Sequence, residues 1–466
     1  MINLQDYSKY SLSDSDKDGK KIDLEVVEKL KDISQTSDNI IIFPSNNSDR
    51  SQLTIIREDN NEIWTQQYVG LLQIEREEKM ENIFIKSRFD KNDNCEFSQY
   101  ILNKALGLKT RIFQNMEPSV GYGTILHTIL GFIFVSQIER AYKKGVYRKY
   151  RTYERNDAKV KGRIDIARDI RLNPIFNGKI AYSERSYTPD NNTNRMILTA
   201  YTMLEKRQPD VMRELAKQKK LVGECISYFK TFMAPASRQE IQKIVYQERK
   251  KITHAVYADW EPVRKTAILI LKYMGIKVSE EDNTQINGVL INMNWVWEQY
   301  LKCILEENLP EGKYLIKGQH GMETFFGKDK SGGKQVLRPD LMIWNSDKDP
   351  RKDSPIFIID AKYKNQWKKA ASVDNKAESN EWERNDYLQI LAYMYRARCD
   401  KGSIFCPGTT EKKEEVVEKQ EYAVRDEDDD SKFYILPIKV NHIENIQKTM
   451  SEREENFANM VLECIE

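Results

Sequence analysis

Two acidic residues and a lysine stand where their types and spacing could do chemistry. Arg338-Pro339-Asp340 places a carboxylate after a proline. Further on, Ile356-Phe357-Ile358-Ile359-Asp360-Ala361-Lys362 ends an apolar run with a carboxylate and an ammonium two positions apart. The run reads as a strand, and residues two apart on a strand share a face. Asp360 and Lys362 are therefore expected to project together, beside Asp340 if the two segments pair. Two carboxylates and an ammonium at one point suit Mg²⁺ and an activated water at a phosphodiester.

Three further residues fit the same purpose. Glu298 lies in a predicted helix from Asn292 to Glu307, with Trp297, Leu301, Ile304 and Leu305 apolar. Gln389 and Tyr393 lie in a predicted helix from Asp386 to Arg398, four apart and so on one face. In this reading Asp340 and Asp360 offer oxygen ligands to Mg²⁺, and Glu298 completes the shell or serves a second ion. Lys362 orients the attacking water and stabilises developing charge as a compact cation. Gln389 hydrogen-bonds the water or the DNA backbone, and Tyr393 packs or positions a phosphate. Each has a plainer reading too. Asp360 and Lys362 could be an exposed strand-end ion pair, worth little, and Glu298 and Gln389 solvent-facing helix residues. What favours the chemical reading is the order helix, strand, strand, helix carrying acid, acid, acid-x-lysine and glutamine.

These residues must be positioned by a chain of 466 residues, which is too long for one ordinary core and leads to an expectation of three domains. Residues 1–95 are β-rich, with short runs such as Ile40-Ile41-Ile42-Phe43, Gln52 to Ile56, Tyr68 to Ile74 and Asn82 to Ile85 between polar clusters. Residues 96–285 read as mostly helical, with helices at 125–142, 191–215, 239–249 and 263–273 and a small β element around Lys159 to Ile166. Residues 286–466 mix strands and helices around the acidic set. The fold class expected is thus α+β or α/β and multidomain. The opening Ser/Asp/Lys segment reads as mobile, and the acidic stretch at 426–430 as a solvated loop without the alternating ligand spacing of a calcium loop.

Hydrophobic content is 40% and charged content 31%, the balance of a solvated globular chain. A net charge of +2 means that any nucleic-acid contact must come from local clustering. One such cluster is 143–151, where cations alternate with tyrosines; a solvated helix end fits it equally well. No apolar run approaches the roughly 18 residues of a membrane span, and no basic-then-apolar leader opens the chain. Six scattered cysteines without a CxxC pair suit reduced thiols, so a cytoplasmic location is expected; four dispersed histidines argue against zinc.

The order of the acidic motifs resembles the PD-(D/E)xK nuclease fold. More closely, Leu337 to Asp340, Ile358 to Tyr363, Asp386 to Tyr393 and Gly402 to Pro407 look like the nuclease segments of the McrC subunit family of modification-dependent restriction systems. Lys161-Gly162-Arg163-Ile164-Asp165 and Asn191 to Arg195 look like that family's middle region, and Tyr68 to Leu71 like a strand of its N-terminal domain. The resemblance implies a C-terminal PD-(D/E)xK nuclease at 286–466 and a Mg²⁺-dependent DNA endonuclease subunit. It also implies a hexameric McrB-like AAA+ partner that hydrolyses GTP, reads modified cytosine in double-stranded DNA and is stimulated when the N-terminal part of this chain enters its pore. Arg163, Asp165, Arg168, Arg171 and Asn173 are candidates for that interface; alternatively Arg163 and Asp165 pin a glycine-containing turn. The chain carries no phosphate-binding loop of its own. Residues 327–334 come near the pattern, but Gln335 stands where a hydroxyl is needed, and a hairpin loop is the better reading. Two other functions stay open: a non-cleaving subunit that only binds and activates its partner, and a stand-alone structure-specific nuclease.

Overall fold

The computed structural model describes residues 2–11, 20–35, 40–44, 54–59, 62–76, 79–90, 95–107, 123–248, 250–274, 288–319, 321–323, 336–364, 380–424 and 430–466. The expected loop at 327–334, most of the acidic stretch, residues 12–19 of the opening segment and the start of the expected strand at 52–56 lie outside these. The fold is mixed α and β and forms two compact units. One joins Met1–Tyr122 to Ile286–Glu466, and the other is Gly123–Gln285.

At the heart of the first unit is a six-stranded mixed sheet. Its order is Tyr314–Gly318, Leu341–Asn345, Phe357–Ala361, Lys401–Gly408, Lys432–Lys439, Gln420–Ala423. Leu341–Asn345 and Phe357–Ala361 are antiparallel neighbours, with Leu341 opposite Ile359. Phe357–Ala361 then runs parallel to Lys401–Gly408, and a parallel pair needs a long crossover. Helix Asn380–Ala397 lies within that crossover. Every residue of Phe357–Ala361 is buried, because helices cover both faces of the sheet; hence the unbroken apolar run in its sequence. Met342, Ile358 and Ile404 pack with Ile390, Tyr393 and Met394 of the crossover helix. On the other face the rings of Phe357 and Phe405 approach, Phe405 meets Phe457 of helix Ile446–Ile465, and the Trp297 indole donates to the Phe405 carbonyl. Trp297 belongs to helix Met293–Asn308, which starts where the Asn292 side chain accepts from the backbone N–H groups of Asn294 and Trp295.

A five-stranded sheet adjoins this one in the same unit, in the order Ile2–Gln5, Lys79–Lys86, Tyr68–Arg76, Gly288–Asn292, Ile40–Phe43. Gly288–Asn292, from the stretch expected to open the last domain, therefore sits between strands of the first ninety residues. Two glycines permit that crossing. A Cβ on Gly70 would lie 2.1 Å from the Val289 carbonyl oxygen, and one on Gly288 would lie 2.2 Å from that of Leu71. Their φ values of +153° and +156° are also ones side chains avoid.

The second unit is helical, with a three-stranded antiparallel sheet of Arg163–Ile164, Ile180–Thr188 and Lys149–Asp157. Where one helix was expected over 191–215 there are two, Asn192–Arg207 and Pro209–Gln218. Pro209 lacks an amide hydrogen and takes the first turn of the second. The run 143–151 is not a helix end throughout: the helix Gly123–Lys143 stops there, and Lys149 opens a strand. Among the described residues no helix is long and apolar enough to cross a membrane, and the six cysteines form no disulfide with one another.

Candidate active site

The register of one hairpin assembles the site. Asp340 precedes the strand Leu341–Asn345 by one residue, and Asp360 lies in the neighbouring strand. The Asp340 Oδ2 accepts the Ala361 backbone N–H at 2.7 Å. Asp360 and Lys362 share the face of the sheet turned to the crossover helix, as their spacing required. The Lys362 Nζ lies 2.8 Å from the buried Asp360 Oδ2 and forms an ion pair with it. The same Nζ donates to the Gln389 Oε1 at 3.1 Å and pairs with the Asp386 Oδ1 at 3.3 Å. The Gln389 Nε2 donates to the Tyr393 hydroxyl at 2.6 Å, and that hydroxyl donates to the Arg338 carbonyl. Gln389 is thus held at both ends, by Lys362 and by Tyr393.

Glu298 reaches the site from helix Met293–Asn308. It is only 6% exposed, and its Oε2 accepts from the Gln319 amide at 3.1 Å. All the expected residues, Asp340, Asp360, Lys362, Glu298 and Gln389, line one cavity of about 320 Å³. So do residues that sequence reading passed over: Tyr7, Asn292, Asn294, Gln319 and Lys364. Asp386, also passed over, bridges Lys362 to Lys364, whose Nζ is 2.8 Å from its Oδ2. Its place one turn before Gln389 was a usable signal; nothing in the sequence connects Tyr7 to residues some three hundred positions away.

Burial dominates the electrostatics, and neighbouring negative charge adds to it. Burial pushes Asp340 well above the usual carboxylate range, and the Asp360 and Glu298 charges add to it, against the Ala361 hydrogen bond and Lys362. Burial likewise raises Glu298 to about 7, opposed by Gln319 and Lys302 and reinforced by Asp360. Burial works to lower Lys362, but Asp360, Asp386 and Asp340 outweigh it and hold the ammonium above its ordinary range. Lys362 is therefore a fixed cation at neutral pH, not a base.

Such a set fits a divalent cation. The buried Asp340 and Glu298 carboxylates, each penalised first by desolvation and then by Asp360, are what an added positive charge relieves. Among the described residues no group of three or more acidic, histidine or cysteine side chains is placed to hold a metal ion; Mg²⁺ does not require such a cage, since it keeps several waters and takes one or two carboxylates plus phosphate oxygens.

The interface candidates all lie in the second unit, apart from this cavity's residues. Asp165 caps helix Ile166–Leu172 by accepting from the Arg168 N–H. Arg168 donates to the carbonyls of Arg155 and Tyr182, and Asn173 exchanges hydrogen bonds with Asn156 and donates to Asp169. Arg163 and Arg171 are exposed, and Arg171 donates only within its own helix, to Ala167. Around them stand large apolar side chains open to solvent: Ile166 at 70%, Ile170 at 67%, Ile175 at 83% and Phe176 at 79%.

No curated protein matches the chain. Several chains of solved structures resemble it, among them these two. One is a refined half-complex of Thermococcus gammatolerans McrB AAA+ hexamers with bound McrC, at 15% identity, covering 99% of both chains with a TM-score of 0.46. The other is the cryo-EM structure of the Thermococcus gammatolerans McrBC complex, at 16% identity, covering 66% of this chain and 88% of that one with a TM-score of 0.28. Scores of that size bear on neither fold nor site. The sequence itself is decisive: residues 63–406, well over half the chain, match the family described as McrBC 5-methylcytosine restriction system component, and the protein belongs to that family.

Proposed function

We propose that this chain is the DNA-cutting subunit of a two-component, NTP-driven restriction system. In this reading the six-stranded sheet with its flanking helices is a PD-(D/E)xK nuclease domain, and Mg²⁺ supports phosphodiester hydrolysis in the cavity described above. One observation carries it: the hairpin register brings Asp340, Asp360 and Lys362 to one cavity, with Asp340 bonded to the peptide between the other two. Asp340, Asp360 and Glu298 would hold Mg²⁺, which when bound lowers the pKa of a coordinated water and offsets charge on the phosphoryl oxygens. Lys362, permanently charged, orients the attacking water and stabilises the same oxygens. Gln389 fixes the direction of Lys362.

The family supports a second component. We take it to be a McrB-like AAA+ GTPase hexamer that reads modified cytosine in double-stranded DNA. The uncovered apolar side chains near Arg163 and Arg171 favour contact through the Gly123–Gln285 unit, since large exposed apolar groups mark interaction surfaces. This contact would come in addition to the expected entry of the N-terminal part into the partner's pore.

The test is cleavage of methylated and unmethylated DNA with and without partner, GTP and Mg²⁺. Asp360→Ala and Lys362→Ala should each lower cutting by about 10³-fold or more, the scale of lost transition-state electrostatics, while partner binding and GTP hydrolysis stay intact. Cutting that survives both substitutions rejects the site. Cutting without the partner would favour the stand-alone nuclease, and no cutting by the intact pair would favour the purely activating subunit.

A further inference from the structure

The peptide that follows the catalytic strand is gripped by residues more than two hundred and seventy positions earlier. Lys362 donates its backbone N–H to the Phe405 carbonyl at 2.9 Å, inside its own sheet. The next carbonyl, that of Tyr363, accepts from the Arg88 guanidinium, which comes from just beyond the strand Lys79–Lys86 of the five-stranded sheet. The Tyr363 side chain is buried, and its hydroxyl lies 2.7 Å from the Ser87 Oγ. The Arg88 guanidinium lies 4.7 Å from the centre of the Tyr363 ring, 4.8 Å from that of Tyr7 and 4.4 Å from that of Phe89. Arg88 is itself oriented by Asp6, wholly buried, whose Oδ1 accepts the Arg88 backbone N–H at 2.8 Å and its Nη1 at 3.3 Å. Tyr7, next in sequence, donates its hydroxyl to Asn294 at 3.0 Å and lines the cavity.

A buried ion pair is a poor way to stabilise a fold, because desolvating two charges offsets most of their attraction and apolar residues of equal volume do as well or better. Even so, the pair leaves polar atoms unsatisfied, the second Asp6 oxygen and the Arg88 Nε. Stability does not account for it, but its location does. With Phe405 on one side and Arg88 on the other, the Lys362–Tyr363 segment is clamped at both ends. Small displacements of a reacting group are costly: about 1 Å can lose on the order of 10²-fold in rate.

We infer that Arg88, held by Asp6, is a positioning residue for cleavage: by fixing the Tyr363 carbonyl and ring it sets the direction in which Lys362 leaves the strand. The five-stranded sheet of the first ninety residues is then part of the cutting site and not only a neighbouring element. The inference rests on the reading of the cavity as a nuclease site.

The experiment uses the full chain with its partner and compares Arg88→Met, Arg88→Lys, Asp6→Asn and Lys362→Ala. Arg88→Met keeps the length and apolar packing but cannot donate. It is expected to lower kcat for cutting methylated DNA by 10- to 100-fold with KM for DNA and partner GTP hydrolysis unchanged, measured well below its melting temperature, which should fall because the buried Asp6 loses its partner. Arg88→Lys, which can still reach the carbonyl, should recover most of the rate, as a packing role would not require. In the Lys362→Ala background Arg88→Met should cause no further loss, because both act on one group. If Arg88→Met cuts normally, or loses cutting only in step with KM and partner GTP hydrolysis, the inference is overturned. Should Arg88→Met fail to fold, Asp6→Asn decides by the same criteria, keeping the size of the side chain and removing only the charge that orients Arg88. If Lys362→Ala cuts normally, the nuclease reading falls, whatever Arg88 does.

Discussion

The cavity around Asp340 and the exposed end of the Gly123–Gln285 unit are built on opposite physics. In the cavity, polar groups are buried, tied to one another and forced from their ordinary pKa values. In the helix Ile166–Leu172 no residue is buried, and the groups left facing water are apolar side chains and the arginines 163 and 171. The polar residues of that end, Asp165, Arg168 and Asn173, are spent on its own backbone and side chains. One region holds carboxylates whose charged form burial and neighbouring charge disfavour. The other leaves apolar area open to water. Each is locally unfavourable, and each is legible as functional because folding alone does not explain it.

If that contrast holds, charging the exposed end should separate the two functions most sharply. Ile170→Asp with Phe176→Asp is expected to leave the melting temperature unchanged, because neither side chain is buried. It should weaken stimulation of partner GTP hydrolysis by at least about 30-fold, the effect of losing a hot spot worth roughly 2 kcal/mol. Partner-dependent cutting should fall with it, although the cavity is untouched. GTP turnover titrated with the variant measures this. Full stimulation would leave the apolar end without the role that the comparison gives it.

The two regions also differed in how far the sequence disclosed them. The cavity was legible because its logic is local: a proline-led aspartate, an apolar run ending in Asp-x-Lys, and glutamine and tyrosine four apart. Strand alternation then settles which side chains meet, whatever the rest of the chain does. Asp386 was missed although it lies on the same helix, because a carboxylate at a helix start reads as a solvated dipole partner. Tyr7, Asp6 and Arg88 were not legible at all, since pairing of Gly288–Asn292 between Ile40–Phe43 and Tyr68–Arg76 is a long-range choice without a local signature. At the exposed end the arginines drew attention through the resemblance of their segment to the family's middle region, whereas Ile166, Ile170, Ile175 and Phe176 were passed over, because apolar residues are expected to be buried. The break at Pro209 was visible but read through.

Within the cavity, Gln389→Ala should be milder than loss of Lys362 itself. It removes one of the groups that hold the Lys362 ammonium and leaves Asp360 and Asp386 in place. A loss of 10- to 100-fold in kcat is expected, the usual scale for a group that orients a reacting side chain. KM for DNA should move little, because the Gln389 amide is already engaged by Tyr393. A change confined to KM would instead make Gln389 a DNA contact, and the cavity would then share the recognition role assigned to the other region.

The smallest effect sharpens the claim that the cavity disfavours its carboxylates' charged form. Glu298 is raised to about 7 by burial, with Asp360 adding to it, while in the unfolded chain it titrates near the ordinary 4.3. Between those values the folded protein holds a proton that the unfolded chain has released. Stability therefore falls as pH rises through that window, and the full penalty is present above about pH 7. Glu298→Gln keeps the shape and an acceptor for Gln319 but removes the charge. Without divalent cation at pH 8 it should raise stability by on the order of 1–3 kcal/mol, a few degrees of melting temperature, and at pH 4, below the unfolded value, the difference should nearly vanish. Mg²⁺ should narrow the gap at pH 8 by stabilising the parent protein more than the variant, and cutting by the variant should fall. Thermal melts at both pH values with and without Mg²⁺ measure all three. A variant less stable than the parent at pH 8 would mean that Glu298 supports the fold, and the cavity would then resemble an ordinary buried polar network more than a site in wait of a cation.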